Sequence, residues 1–256
     1  MSGEKRLIGI RAKIERAEKH ILDLNLAIES FLKSDPYRAV GYDDLESGER
    51  VVKFRIVDQP PPPLLAILGD AIHCLRSSLD HLACQLVDAV GGKITNETAF
   101  PIAHSVEEFE SARNLGKIKG ADPCTIDLIK KIEPYKGGKG DIFWRLHMLD
   151  ITDKHRLLIT TAAQMSKMVI TGVVSLQSIA SNRLFARGEP ARGPLKDGQT
   201  LISVSRADRT PQYEDPQFSF YIVFGERFFE GQPLVPQLLQ LVDLVKRTVE
   251  AFLPFL

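Results

Sequence analysis

Apolar residues at Leu7, Ile10, Ile14, Ala17, Ile21, Leu24, Ile28 and Phe31 recur in alternating steps of three and four. That is the narrow seam of a helix packed lengthwise on another, and it predicts a first helix over residues 5–34. Pro36 ends it and biases Asp35 away from helical angles. After a polar loop, Val52, Phe54 and Ile56 alternate with Lys53 and Arg55, the period of a half-buried strand within 50–58. Prolines 60 to 63 form a stiff connector whose last member suits a first helical turn. A second seam of Leu68, Ile72, Leu75, Leu79, Leu82 and Leu86 predicts a helix over 64–91, stopped by Gly91 and Gly92.

Shorter helices follow at 105–113, with Ser105 and Glu108 as a capping box, and near 122–132, opened by Asp122 and Pro123. The glycine-rich turn before residue 141 lacks the spacing of a phosphate-binding loop, and Asp141 reads as the N-cap of a helix with a break near Thr152. Together these make a helical segment over 122–162. From Met168 the period shortens to two, and Phe218, Phe220, Ile222 and Phe224 share one face of a strand. The region 167–225 therefore reads as strands, broken by an exposed loop rich in glycine, proline and arginine at 182–199. Leu238, Val242, Val245, Val249 and Phe252 form a last seam over 234–254. The fold expected is α+β in a single domain, 1–256: an antiparallel bundle of about four long helices with a small, mostly antiparallel sheet from 50–58 and 167–225.

Composition adds limits to this picture. Hydrophobic residues make up 44% and charged residues 26%, enough for a core without staples. Lysine plus arginine and aspartate plus glutamate each number 33, so no global field draws the chain to nucleic acid or an anionic membrane, and any polyanion site is local. The three cysteines are odd in number, and Cys74 and Cys84 lie too far apart on one helix to bridge. Reduced thiols and a cytoplasmic location are expected, with no signal peptide, no membrane span and no cofactor.

The second helix carries chemistry opposite its leucine seam. Asp70, His73, Ser77, Asp80, His81, Cys84 and Asp88 gather there, with Arg76 on the flank. Four steps bring Arg76 beside Asp80 and Ser77 beside His81, whereas Arg76 and His81 point about 140° apart. The block "LRSSLDHL", an arginine followed after four residues by a histidine on a bundle helix, resembles the motif of the HEPN superfamily of helical-bundle proteins. "LRSSLDHL" and "LDITDKHR" are also similar to blocks shared by a group of bacterial proteins that carries no assigned activity. The HEPN resemblance implies a metal-independent endoribonuclease of a defence or toxin system. In that reading Arg76 and His81 are the catalytic pair, completed across a homodimer, and Ser77, Asp80 and His73 support them. Arginine suits a developing phosphorane charge and histidine suits proton transfer near neutrality.

A second polar cluster, His147, Asp150, Asp153, Lys154, His155 and Arg156, lies on the helix after residue 141. Lys154 or Arg156 would meet an RNA phosphate if that helix packed beside the second. Three other readings stand beside the nuclease. The chain is a HEPN-like bundle that binds RNA, a nucleotide or a protein partner such as an antitoxin without cleavage. Alternatively, the histidines and aspartates of the second cluster, joined by His73 or His81, hold the divalent metal of a hydrolase. In the purely architectural reading, Arg76–Asp80 is a four-step ion pair and His81 is satisfied by Ser77 or Asp153.

Overall fold

The structure is a computed structural model that describes residues 3–156, 159, 161–173, 194–205, 209–225 and 228–256. Most of the loop expected at 182–199 lies outside the described residues, as do the side chains of His155 and Arg156. The chain forms two compact units: Met1–Asn25, Pro62–Ile159 and Val235–Leu256 make the first, and Leu26–Pro61 with Thr160–Leu234 the second.

The first unit is helical. Its long helices are α1 (Gly3–Lys33), of which the stretch from Leu26 on counts with the second unit, α2 (Pro62–Ala89), α6 (Asp141–Arg156) and α7 (Leu234–Phe252). Between α2 and α6 stand three short ones, α3 (Val106–Glu110), α4 (Ala112–Leu115) and α5 (Pro123–Ile132). The described residues hold seven helices, more than the bundle's expected four or so, and the three short ones lie in the 105–132 region where shorter helices are expected. Ser111 both ends α3 and caps α4, where its hydroxyl accepts from the Asn114 N–H at 3.2 Å. Only half of the expected capping box forms: Ser105 accepts from the Glu108 N–H, but the Glu108 carboxylate turns to the His104 N–H.

The seams do as their spacing requires. Ile10, Ala17 and Leu24 of α1, Leu68, Ile72, Leu75, Leu79 and Leu82 of α2, and Leu238, Val245 and Phe252 of α7 are fully buried, each worth roughly 1.5–3 kcal/mol for the larger side chains. Gly91, at φ 75°, takes the left-handed turn that stops α2, and the Gly92 N–H reaches the Val87 carbonyl at 2.9 Å. α6 runs unbroken through Thr152, so the expected break is absent. Asp141 lies in its first turn, where the carboxylate accepts from the Gly137 N–H and pairs with Arg145.

The second unit holds the strands. β1 (Tyr37–Asp43), β2 (Glu49–Ile56) and β4 (Thr200–Ser205) form one sheet in the order β1-β2-β4, and β3 (Thr161–Val173) pairs with β5 (Arg209–Phe224) in a two-stranded ribbon. All these pairings are antiparallel. β1 occupies what reads as polar loop. Its inward positions are Tyr37, Ala39 and Gly41, while Val40 and Tyr42 face outward, so the usual hydrophobic alternation is weak. A Cβ on Gly41 would press on the side chains of Asp215 and Arg50, the ion pair beside it, which would then have to shift. β3 begins at Thr161, inside the segment read as helix. The aromatic face of β5 is real: Phe220 packs 5.1 Å from Phe54 and 6.2 Å from Tyr37.

Candidate functional site

The polar stripes of α2 and α6 face each other. In antiparallel register, Gly69 meets Asp153, His73 meets Asp150 and Arg76 meets His147. The approach is close at Gly69, where a Cβ would overlap the Asp153 carboxylate and force that side chain to shift. Thus His73 and Arg76 of the first polar cluster and His147, Asp150 and Asp153 of the second line one seam within the helical unit.

Arg76 lies at its closed end. Its side chain is 7% exposed, and all three of its nitrogens are engaged. Nε donates to His147 Nδ1 at 3.3 Å, Nη1 to Asp80 Oδ1 at 2.5 Å and Nη2 to the Phe100 carbonyl at 3.3 Å. Asp80 Oδ1 also accepts from the Phe100 N–H at 2.9 Å. The four-step pair therefore grips both ends of one residue's backbone, and the Phe100 ring is fully buried against Phe143. Burial, followed by the nearby Arg76 and Lys117 charges, lowers the His147 pKa from 6.5 to about 4. Lys117, from the tight turn at Gly116–Ile118, is also pushed below the ordinary lysine value, by burial first and Arg76 second. Nothing in its sequence neighbourhood marked Lys117, because only the fold carries that turn to Arg76.

His81 stands apart. It is exposed and faces α1, where a Cβ on Gly9 would come within 3.4 Å of its Nδ1. No hydrogen bond joins it to Arg76, so a single chain does not bring the Arg-x4-His pair together. Of the partners considered for His81, Ser77 meets His73 instead, and the Asp153 carboxylate lies against Gly69. Burial, then the charges of Asp150 and Asp70, raises the Asp153 pKa above the usual carboxylate value.

The open end is built on Asp150. This carboxylate is 3% exposed, and it contacts His73 Nδ1 at 2.9 Å through Oδ1 and Lys154 Nζ at 2.6 Å through Oδ2. On the far side of the imidazole, His73 Nε2 is 3.3 Å from the Ser77 hydroxyl. His73 and Lys154 are nearly half exposed. A buried aspartate thus orients an accessible imidazole that touches an accessible hydroxyl, an arrangement suited to taking a proton from an alcohol. Helical spacing could have flagged it: His73 and Ser77 are four apart, as are Asp150 and Lys154.

Among the described residues, no group of three or more histidine, cysteine, aspartate or glutamate side chains converges as a metal site, and no helix is long and apolar enough to cross a membrane. Compared with protein-family models, curated proteins and solved structures, the chain finds no match.

Proposed function

We propose that this chain is a HEPN-like helical protein that binds RNA without cutting it through Arg76 and His81. The observation that carries this reading is the commitment of Arg76. Three of the five N–H donors of this guanidinium hold Asp80, Phe100 and His147, and with its side chain only 7% exposed it is not presented to a phosphate oxygen in solvent. Freeing it would expose Asp80 and a buried backbone carbonyl, at a cost that phosphate binding must then exceed. Binding instead uses the open end of the seam, where Lys154 supplies a cation and His73 and Ser77 supply polar contacts. With zero net charge overall, the interaction is local and of modest salt dependence.

Fluorescence anisotropy with a labelled mixed-sequence RNA in EDTA tests this, followed by a gel of the same samples. Saturable binding, weakened several-fold by Lys154→Ala with the RNA left intact, is the expected result. Absence of binding overturns the proposal. Cleavage ending in 2′,3′-cyclic phosphate, and lost in folded Arg76→Lys and His81→Ala variants, would restore the nuclease assignment, with the pair assembled across a homodimer.

A further inference from the structure

We propose that Ser77, His73 and Asp150 form a hydrolytic relay on the open edge of the α2–α6 seam, in which Ser77 is acylated by a carboxylic ester and released by water. This activity goes beyond RNA binding and does not depend on it.

Three features carry the inference. First, the chain of contacts has the order that nucleophilic catalysis needs: Asp150 Oδ1 to His73 Nδ1 at 2.9 Å, and His73 Nε2 to Ser77 Oγ at 3.3 Å. With the Nδ1 proton donated to Asp150, Nε2 keeps its lone pair for the serine proton. Second, exposure is graded in the useful direction. Asp150 is buried at 3%, whereas the His73 side chain is 46% exposed and Ser77 lies at the surface edge of α2. Third, the neighbouring serine is a built-in contrast. Ser78 is fully buried and its hydroxyl donates to the Leu75 carbonyl at 2.7 Å, so it has neither a base nor access.

The chemistry balances without a co-reactant other than water. Ser77 Oγ attacks the ester carbonyl carbon while its proton passes to His73 Nε2. Collapse of the tetrahedral adduct breaks the bond to the alcohol oxygen, which leaves with that proton. A water then gives a proton to His73 and attacks the acyl carbon. The Oγ–carbon bond breaks, Ser77 recovers the proton and the carboxylic acid departs. Ser77 and His73 are the catalytic residues, and Asp150 is a positioning residue acting through His73.

The test measures p-nitrophenyl acetate turnover by the full chain and maps the site of fluorophosphonate labelling by peptide fragmentation. The expected label is on Ser77 and not on Ser78, with turnover reduced about 100-fold or more in Ser77→Ala and His73→Gln. Both positions are exposed enough for these variants to fold, which circular dichroism verifies. Asp150→Asn should lower kcat for p-nitrophenyl acetate with KM little changed, because the imidazole loses the carboxylate that orients it; a merely structural role would lower the folded fraction seen by circular dichroism and leave kcat per folded molecule in place. Labelling spread over surface nucleophiles, or turnover unchanged in Ser77→Ala and His73→Gln, would overturn the relay. Since RNA anisotropy is read separately, loss of either activity leaves the other measurement informative.

Discussion

The two ends of the α2–α6 seam use the same residue types to opposite ends. At one, Asp80 and Arg76 are joined to each other, to His147 and to the Phe100 backbone, with Arg76 almost wholly out of water. At the other, Asp150 is just as engaged, but its partners His73 and Lys154 stand nearly half in solvent. A charged group that is buried and fully bonded is architecture. One that is oriented by a buried partner yet open to solvent keeps a hand free for a ligand or a proton. In the reading proposed above, the open end serves function because it keeps exposure and spare bonding capacity, which the Arg-x4-His spacing does not by itself provide.

The sharpest way to break this contrast is to remove Arg76. Arg76→Met should cost about 3 kcal/mol, because it strands Asp80 beside an unpaired Phe100 carbonyl; Asp80's partial exposure keeps the loss near the lower end for a broken buried pair. Arg76→Lys should recover only part, since an ammonium cannot span all three partners. Urea unfolding checks both.

Next in size is the pH response of the closed end. His147 has its folded pKa lowered to about 4 from 6.5, so it is neutral when folded and takes up its proton first in the unfolded chain. Its neutral state costs nothing above pH 6.5. Stability should fall as pH drops from about 6.5 toward about 4, by roughly 2–3 kcal/mol, and level off below that as the folded form protonates too. His147→Gln should flatten this part of a stability-against-pH curve.

Gly69→Ala should be milder, about 1–2 kcal/mol, because the new methyl displaces the short Asp153 side chain rather than backbone. Thermal unfolding reads it. Ser77→Ala should change stability by less than about 0.5 kcal/mol, since it removes one exposed hydroxyl. A variant that is this silent in unfolding and yet abolishes ester turnover would sharpen the contrast most.

Much of the helical frame was legible from periodicity, because a leucine every three or four positions has one way to be buried. The sites that escaped did so for physical reasons. β1 puts Ala39 and Gly41 inward and Val40 and Tyr42 outward, which inverts the pattern a half-buried strand normally shows. Both polar clusters could be named from helical spacing, but their pairing could not, since register between helices depends on tertiary packing around Gly69. For the same reason Ser77 reads equally well toward His81 or His73, each four residues away. Only the position of Asp150 favours His73. Phe100, twenty residues beyond Asp80, joins the Arg76 bracket through its backbone, and no side-chain pattern announces that.

The most direct test of the account compares urea unfolding of Arg76→Met and His81→Ala with that of the unaltered chain. The account predicts a clearly lower midpoint for Arg76→Met and an unchanged one for His81→Ala, since only the arginine holds the fold. Equal stability of all three, together with RNA cleavage in EDTA lost in both variants, would contradict it and make Arg76 a free catalytic cation.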